Sequence, residues 1–142
     1  MRLGGLLVLV AIACISCAAT GRSAEDSVYQ RGEASYYADK FEGRPTASGE
    51  PYDPEALTAA HRRLPFGTRV RVTRTDVPDA PSIVVEINDR GPFARGRIID
   101  LSEEGARSLN MIEDGVAAVR VEIVERPDSA DAEAFQRGAE GW

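Results

Sequence analysis

Short runs of strand-forming residues, separated by turns rich in glycine and proline, constrain the fold of this sequence more than any other feature. In the run at 68–74, Val70 and Val72 alternate with polar residues, which is the period of a half-buried strand. A small set of such strands removes its open edges by closing on itself. The sequence therefore predicts a mainly β fold, a small closed barrel. Strands are predicted at Gly32–Tyr37, Leu57–Ala60, Thr68–Arg74, Ile83–Asn88, Arg97–Leu101 and Val116–Val124.

One short helix, Glu103–Leu109, is predicted between the last two strands. Ser102 is suited to the N-cap because its hydroxyl can accept from a free backbone N–H of the first turn. The acidic side chains at 103 and 104 are favoured there by the helix dipole. Asn110 is a residue type that ends helices in the left-handed conformation.

The N-terminal segment 1–17 is predicted to be a signal peptide. Leu3–Ala13 is an uncharged apolar run of eleven residues, whereas a membrane-spanning helix needs about 20. Cys14 and Cys17 are the only cysteines, so the rest of the chain has no disulfide and no cysteine nucleophile. Their position predicts lipid attachment at Cys14 or at Cys17, and ordinary cleavage of the leader nearby is the alternative.

The remaining chain divides into three predicted parts. Residues 18–31 are polar and are predicted to be a flexible tether. Residues 32–125 form the barrel domain, and 126–142 a disordered acidic tail. A length of 142 residues suits one domain, and we expect a monomer.

Charge excludes one class of partner. The net charge is −6 and the sequence pI is about 4.9. Binding to nucleic acid needs a surplus of cationic side chains, so no nucleic-acid partner is predicted.

The candidate chemistry is acid–base catalysis by carboxyl groups. No dinucleotide-binding, phosphate-binding or serine-nucleophile motif is present, and His61 is the only histidine. Neither a metal nor a cofactor is therefore predicted. Asp89 stands where a strand meets a Gly-Pro turn, and such an Asp is held rigidly yet open to solvent. A turn-stabilising role for Asp89, a solvated loop charge for Glu50 and a structural role for His61 are the alternatives.

Five sequence blocks, TASGE, LTAAH, LPFGTRVRV, NDRGPF and GRIIDLS, occur in an order that resembles the rare lipoprotein A family. The resemblance runs from Gly32 to about Val124. It implies a six-stranded double-psi β-barrel with one or two short helices, a fold shared with expansins and family-45 endoglucanases. It also implies a bacterial envelope lipoprotein facing the periplasm and, in some members, a lytic transglycosylase of peptidoglycan strands that lack stem peptides.

The resemblance also implies roles for particular residues. The functional acid of the family falls on Asp89, and its supporting carboxylate and histidine fall on Glu50 and His61. The acid position of expansins instead matches Asp100, which otherwise has a structural role as the alternative. Side chains expected to bind substrate are Tyr36, Tyr37, Tyr52, Asn88 and Arg90, although the three tyrosines fit packing of the barrel equally well.

The implied reaction is cleavage of the β-1,4 bond between N-acetylmuramic acid and N-acetylglucosamine, with formation of a 1,6-anhydro end. Because the attacking hydroxyl belongs to the substrate, one carboxyl, Asp89, can serve both proton transfers. We expect His61 to orient Asp89 or Glu50, or to bind a substrate N-acetyl group or hydroxyl, and the Arg90 guanidinium to point outward. A non-catalytic, expansin-like glycan-binding module and a structural envelope lipoprotein are the competing functions.

Overall fold

Six β-strands close into a barrel in the computed structural model, which describes residues 28–130 and 133. Neighbours around the barrel run in the order β1-β5-β2-β4-β3-β6, and β6 pairs with β1 to close it. The pairs β1–β5 and β2–β4 are parallel and the others are antiparallel. The predicted closed barrel is thus confirmed. The strands are β1 Val28–Tyr36, β2 Thr58–His61, β3 Arg69–Arg74, β4 Ser82–Asp89, β5 Arg97–Leu101 and β6 Ala117–Glu125.

The helix α1, Glu103–Ser108, follows β5, and a single 3₁₀ turn covers Asp39–Phe41. The Ser102 hydroxyl accepts from the Gly105 backbone N–H at 3.2 Å, as the sequence predicts for the N-cap. Asn110 has a φ of 53°, the left-handed conformation expected after the helix. No helix among the described residues is long and apolar enough to cross a membrane.

The predicted ends of the strands and helix lie within one residue of those observed, except at the start of the first strand. That strand begins at Val28, so the last four residues of the predicted tether, 28–31, belong to β1. They pair with β6 between Val28↔Glu122 and Arg31↔Arg120. The sequence pattern does not predict these four residues as strand, because backbone pairing rather than burial of their side chains holds them in the barrel.

The predicted signal peptide, both cysteines and most of the tether lie outside the described residues. Of the predicted tail, 126–130 and 133 are described, and a helical turn includes Ser129 and Ala130. The disorder expected for the rest of 126–142 also lies outside.

Inward-facing side chains of the strands build the core, and α1 covers one end of it. Val70 and Val72 are fully buried, as the alternation in β3 predicts. Leu109 and Met111 close the core beyond the helix. The outward-facing residues at the ends of β2, β4 and β5 are left to form a surface. The buried strand residues include Ala34, Ala59, Val85, Ile87, Ile99, Leu101, Val119 and Val121.

Candidate active site

Two carboxylates lie on the same face of three neighbouring strands. Ala60 of β2 is the register partner of Asp89 in β4 on one side and of Asp100 in β5 on the other. Register partners present their side chains to the same face. With one strand between them, the two Asp Cα atoms are roughly 10 Å apart. Ala60, which lies between them in the register, is fully buried.

Asp89 receives three hydrogen bonds. The Tyr37 hydroxyl donates to Oδ2 at 2.5 Å, and the backbone N–H groups of Ala47 and Arg90 both donate to Oδ1 at 2.8 Å. These three donors fix the Asp89 carboxyl group in one orientation at the end of β4.

Asp100 has a different environment. Its Oδ1 accepts a hydrogen bond from the hydroxyl of Ser35, which is the register partner of Asp100 on the neighbouring strand β1. Burial raises the pKa of the Asp100 carboxyl, the Ser35 hydrogen bond and the Arg97 charge lower it, and the Asp89 charge adds to the increase. The net effect is an upward shift, so Asp100 holds a proton more readily than an ordinary aspartate does.

Tyr37 links the carboxylates to an aromatic cluster. Its ring lies 4.8 Å from the Tyr52 ring and 5.9 Å from the Phe41 ring, measured between centroids. Burial raises the Tyr37 pKa, and the Asp89 and Asp100 carboxylates raise it further. Tyr37 therefore stays protonated over the working pH range and acts as a fixed donor to Asp89.

Glu50 reaches the edge of this site through Asn88. The Asn88 side chain donates to Glu50 Oε2 at 3.4 Å, and the Asn88 carbonyl accepts from Ser48 N at 3.1 Å. Glu50 is exposed, whereas Asn88 is only 4% exposed. Asn88 therefore ties the 46–50 loop to β4, and the expected substrate contact of Asn88 does not fit its buried position.

In this structure the hydrogen bonds of the His61 ring go to groups other than Asp89 and Glu50. Its Nδ1 accepts from the backbone N–H groups of Arg63 and Leu64, each at 3.1 Å, and its Nε2 pairs with Gln30 Oε1 at 3.0 Å. Side chains alternate along a strand, so His61 faces away from the side that Ala60 shares with the carboxylates. Both ring nitrogens are committed to contacts on that other side.

His61 instead lines a separate cavity of about 300 Å³. Burial first, and then the charges of Arg90, Arg62 and Arg63, lower the His61 pKa to about 4. The imidazole is therefore neutral at pH 7, with Nδ1 as acceptor and Nε2–H as donor. The cavity is lined by Tyr29, Gln30, His61, Arg62, Arg63 and Ile98.

Arg90 follows Asp89 directly, but its guanidinium is used elsewhere. Its Nη1 donates to the carbonyls of His61 and Leu64, at 3.1 and 2.8 Å. Its Cζ lies 3.9 Å from the centroid of the buried Phe66 ring. Arg90 thus anchors the turn after β2. The guanidinium is directed at these two carbonyls and the Phe66 ring, not outward as expected from the sequence, and the expected substrate contact of Arg90 stays a prediction.

Of the three tyrosines expected at the substrate surface, Tyr37 and Tyr52 lie in one aromatic cluster and Tyr36 lies apart from them. Tyr36 packs against the core and donates to the Ile112 carbonyl at 3.0 Å, while its neighbour Tyr37 points the other way. Tyr52 is 4% exposed, and its hydroxyl accepts from Glu103 N at 3.1 Å. Only Tyr37 contacts Asp89. Sequence reasoning also missed the exposed Phe93, which the NDRGPF block contains and which lies near Asp100.

Among residues 28–130 and 133, no group of three or more His, Cys, Asp or Glu side chains is placed to hold a metal ion.

Comparison with known proteins agrees with the fold and identifies similar proteins. A family model described as lytic transglycolase matches residues 29–121. A probable endolytic peptidoglycan transglycosylase RlpA of Nostoc sp. is 62% identical over 98 residues, which cover 68% of this chain and 26% of the relative. The Treponema pallidum protein of the same description is 50% identical over 99 residues, 70% of this chain and 30% of the relative. The chain thus spans under a third of the length of these relatives.

Solved structures share the barrel. An expansin of Clavibacter michiganensis superposes with a TM-score of 0.54 at 22% identity, over 70% of this chain and 52% of the expansin. The Streptomyces papain inhibitor superposes with a TM-score of 0.52 at 24% identity, over 69% of this chain and 97% of the inhibitor.

Proposed function

The chain belongs to the lytic transglycolase family and has its double-psi β-barrel, and from this premise we propose that the domain is a peptidoglycan lytic transglycosylase. It cleaves the β-1,4 bond between N-acetylmuramic acid and N-acetylglucosamine within glycan strands, preferably strands without stem peptides. The observation that carries this proposal is the Asp89–Asp100 pair, two carboxyl groups on one face with different environments.

The reaction needs one base and one acid. The 6-hydroxyl of the muramyl residue gives its proton to the base and attacks C1 of the same sugar. The bond from C1 to the glucosamine O4 breaks, and the departing oxygen takes a proton from the acid. No water is consumed, so the second carboxylate that activates water or attacks C1 in a glycoside hydrolase has no such task here. The products are a 1,6-anhydromuramyl end and a free 4-hydroxyl.

The two carboxyl groups are suited to divide these tasks. Asp100 is the proton donor, because burial raises its pKa and favours the protonated form. Asp89 is the base, because three hydrogen bonds hold its carboxyl group in one orientation on the face that it shares with Asp100. This division modifies the sequence-based expectation, in which Asp89 alone serves both steps. Glu50, at the edge of the site, is proposed to contact the substrate.

A direct test is to incubate the purified protein with denuded glycan strands and analyse the soluble products by mass spectrometry. The wild-type protein should release fragments with anhydromuramyl ends. Asp89→Asn and Asp100→Asn should each lower the rate by about 10²–10⁴-fold, the usual contribution of general acid–base catalysis. Asp79→Asn, the same change at an exposed hairpin residue, is the matched control.

The outcomes separate the competing functions. Anhydro products from both variants at the wild-type rate would rule out the carboxyl pair. Binding of glycan without release of fragments would indicate the non-catalytic, expansin-like module instead. If the wild-type protein is active, its rate should fall as the pH rises through the raised pKa of Asp100, because the acid then loses its proton.

We further propose that the protein is a lipoprotein of the bacterial cell envelope, anchored to the periplasm-facing side of a membrane through Cys14 or Cys17. The sequence at 1–17 supports this placement. Metabolic labelling with a fatty acid such as palmitate, compared between Cys14→Ser and Cys17→Ser, identifies the attachment site. An unlabelled wild-type protein would exclude the anchor.

A further inference from the structure

Phe93 is the most exposed large apolar side chain of the described residues, with 80% of its surface open to solvent. The others with large exposed fractions are Val124 at 47%, Leu57 at 43% and Tyr29 at 42%. Single exposed apolar residues are common and by themselves indicate nothing. Phe93 differs because it lies beside the candidate catalytic carboxyl groups.

The geometry around Gly91 places the ring in the site. A Cβ at Gly91 would lie 3.8 Å from Phe93 Cε2 and 3.9 Å from Asp100 Oδ2. The ring edge and the carboxyl oxygen thus approach the same point, one on each side of the turn that follows Asp89. The exposed Phe93 ring therefore lies close to the Asp100 carboxyl group.

The other aromatic rings near the site are already in use. The Tyr37 ring is held between Phe41 and Tyr52. Phe41 also has the Lys40 ammonium 5.4 Å and the Arg44 guanidinium 5.6 Å from its centroid. Phe93 is therefore the aromatic side chain of this surface with a face open to a ligand.

We infer that Phe93 is a stacking platform for one pyranose ring of the glycan strand, in the subsite next to Asp100. The C–H groups on one face of a pyranose ring form a flat apolar surface, while its hydroxyl groups point to the sides. Such a ring gains by packing against an aromatic face, and its hydroxyl groups stay within reach of the carboxyl groups. This inference rests on the proposed function, since it takes the ligand to be the glycan substrate.

The experiment compares four substitutions at Phe93. Tyr and Trp keep a flat aromatic face, Leu keeps apolar area without the face, and Ala removes both. Val124→Ala, on β6, is the control for loss of an exposed apolar side chain. Glycan affinity is measured in an Asp89→Asn background, so that strands are not cleaved during binding, and KM and kcat are measured in the wild-type background.

Phe93→Ala and Phe93→Leu should each weaken glycan binding and raise KM by about 3- to 10-fold, the size expected for loss of one aromatic contact. Phe93→Tyr and Phe93→Trp should keep most of the affinity. The unfolding midpoint should change little in all four variants, because an exposed ring contributes little to the core. Val124→Ala should behave as the wild-type protein does.

Equal affinity of the Ala, Leu and wild-type proteins would overturn the platform and leave the proposed reaction standing. If Phe93→Leu keeps the wild-type affinity and only Phe93→Ala loses it, the platform is also overturned. Apolar area would then be sufficient for glycan binding without a flat aromatic face. If the wild-type protein binds glycan but releases no product, the proposed reaction fails while the binding series still decides the role of Phe93. If it neither binds nor cleaves glycan, both proposals fail.

Discussion

Substitution of His61 tests whether this residue is catalytic or structural, because the family resemblance implies a catalytic role and its contacts in the fold indicate a structural one. Two substitutions separate these roles. His61→Ala removes the ring and the acceptor that receives the Arg63 and Leu64 backbone N–H groups. His61→Asn keeps an acceptor, because Asn Oδ1 takes a position close to that of His Nδ1.

The stability cost of His61→Ala follows from the contacts that are lost. A buried donor left without a partner costs about 1–3 kcal/mol, and the Leu64 N–H is such a buried donor. With the packing of the 2%-exposed ring added, we expect a loss of about 2–4 kcal/mol in the free energy of unfolding. For a domain of this size the unfolding midpoint falls by roughly 10–20 °C. His61→Asn should lose about 1 kcal/mol.

The pH dependence of stability provides a second measurement. The folded-state pKa of His61 is about 4, and an unfolded histidine titrates near 6.5. As the pH falls below about 6.5, the unfolded chain therefore takes up a proton that the folded chain refuses. Stability decreases across that window by about 3 kcal/mol, and the loss is complete once the pH is below 4. His61→Asn lacks this contribution because asparagine does not titrate.

Chemical denaturation at a series of pH values, followed by circular dichroism, measures both effects. The difference in unfolding free energy between wild type and His61→Asn should shrink or change sign as the pH falls from 7 to 4. Activity of folded His61→Asn on denuded glycan at pH 7 should stay within a few-fold of wild type. A variant that is as stable as wild type but 100-fold less active would refute the structural role and restore the catalytic one.

Three further substitutions test other parts of the molecule. Gly32→Ala would place a Cβ 2.6 Å from Ile98 Cγ2, so the free energy of unfolding, measured in denaturant, should fall by about 1–3 kcal/mol. An unchanged midpoint would mean that the Ile98 side chain moves away freely. Tyr37→Phe removes a donor to Asp89 and should lower kcat about 10- to 100-fold with little change in KM, whereas a change in KM alone would assign Tyr37 to substrate binding. Arg74→Met removes a buried guanidinium that contacts two carbonyls and two carboxylates. The free energy of unfolding, measured by calorimetry, should fall by about 3 kcal/mol, whereas loss of a surface ion pair would lower it by much less.

Local patterns in the sequence were sufficient to place the strands, the helix and its cap. The alternation of Val70 and Val72 with polar residues and the Ser102 hydroxyl before two acidic residues are properties of a few consecutive positions. They act through the period of a strand and the unpaired N–H groups of a helix start, which do not depend on distant parts of the chain. Asp89 could be singled out for the same reason, since the strand and the Gly-Pro turn around it are local.

The partners of Asp89 required the closed barrel. Asp100 lies on β5 and Asp89 on β4. The two share a face because β2 pairs with both strands, and Ala60 of β2 is the register partner of each aspartate. The same register turns His61 away from both carboxyl groups, although Ala60 next to it in sequence faces them. Sequence motifs gave Glu50 and His61 as the companions of Asp89, whereas the register makes Tyr37 and Asp100 its near neighbours.

Local patterns of residues are enough to define which segments become strands and which residue types are available for chemistry. Tertiary structure alone decided which of those side chains share a face, because strand order and register are set by pairing between distant segments, and a shift of one residue moves a side chain to the opposite side of the sheet. Tyr36 and Tyr37 are the simplest case: adjacent and identical in sequence, one packs against the core and the other donates to Asp89.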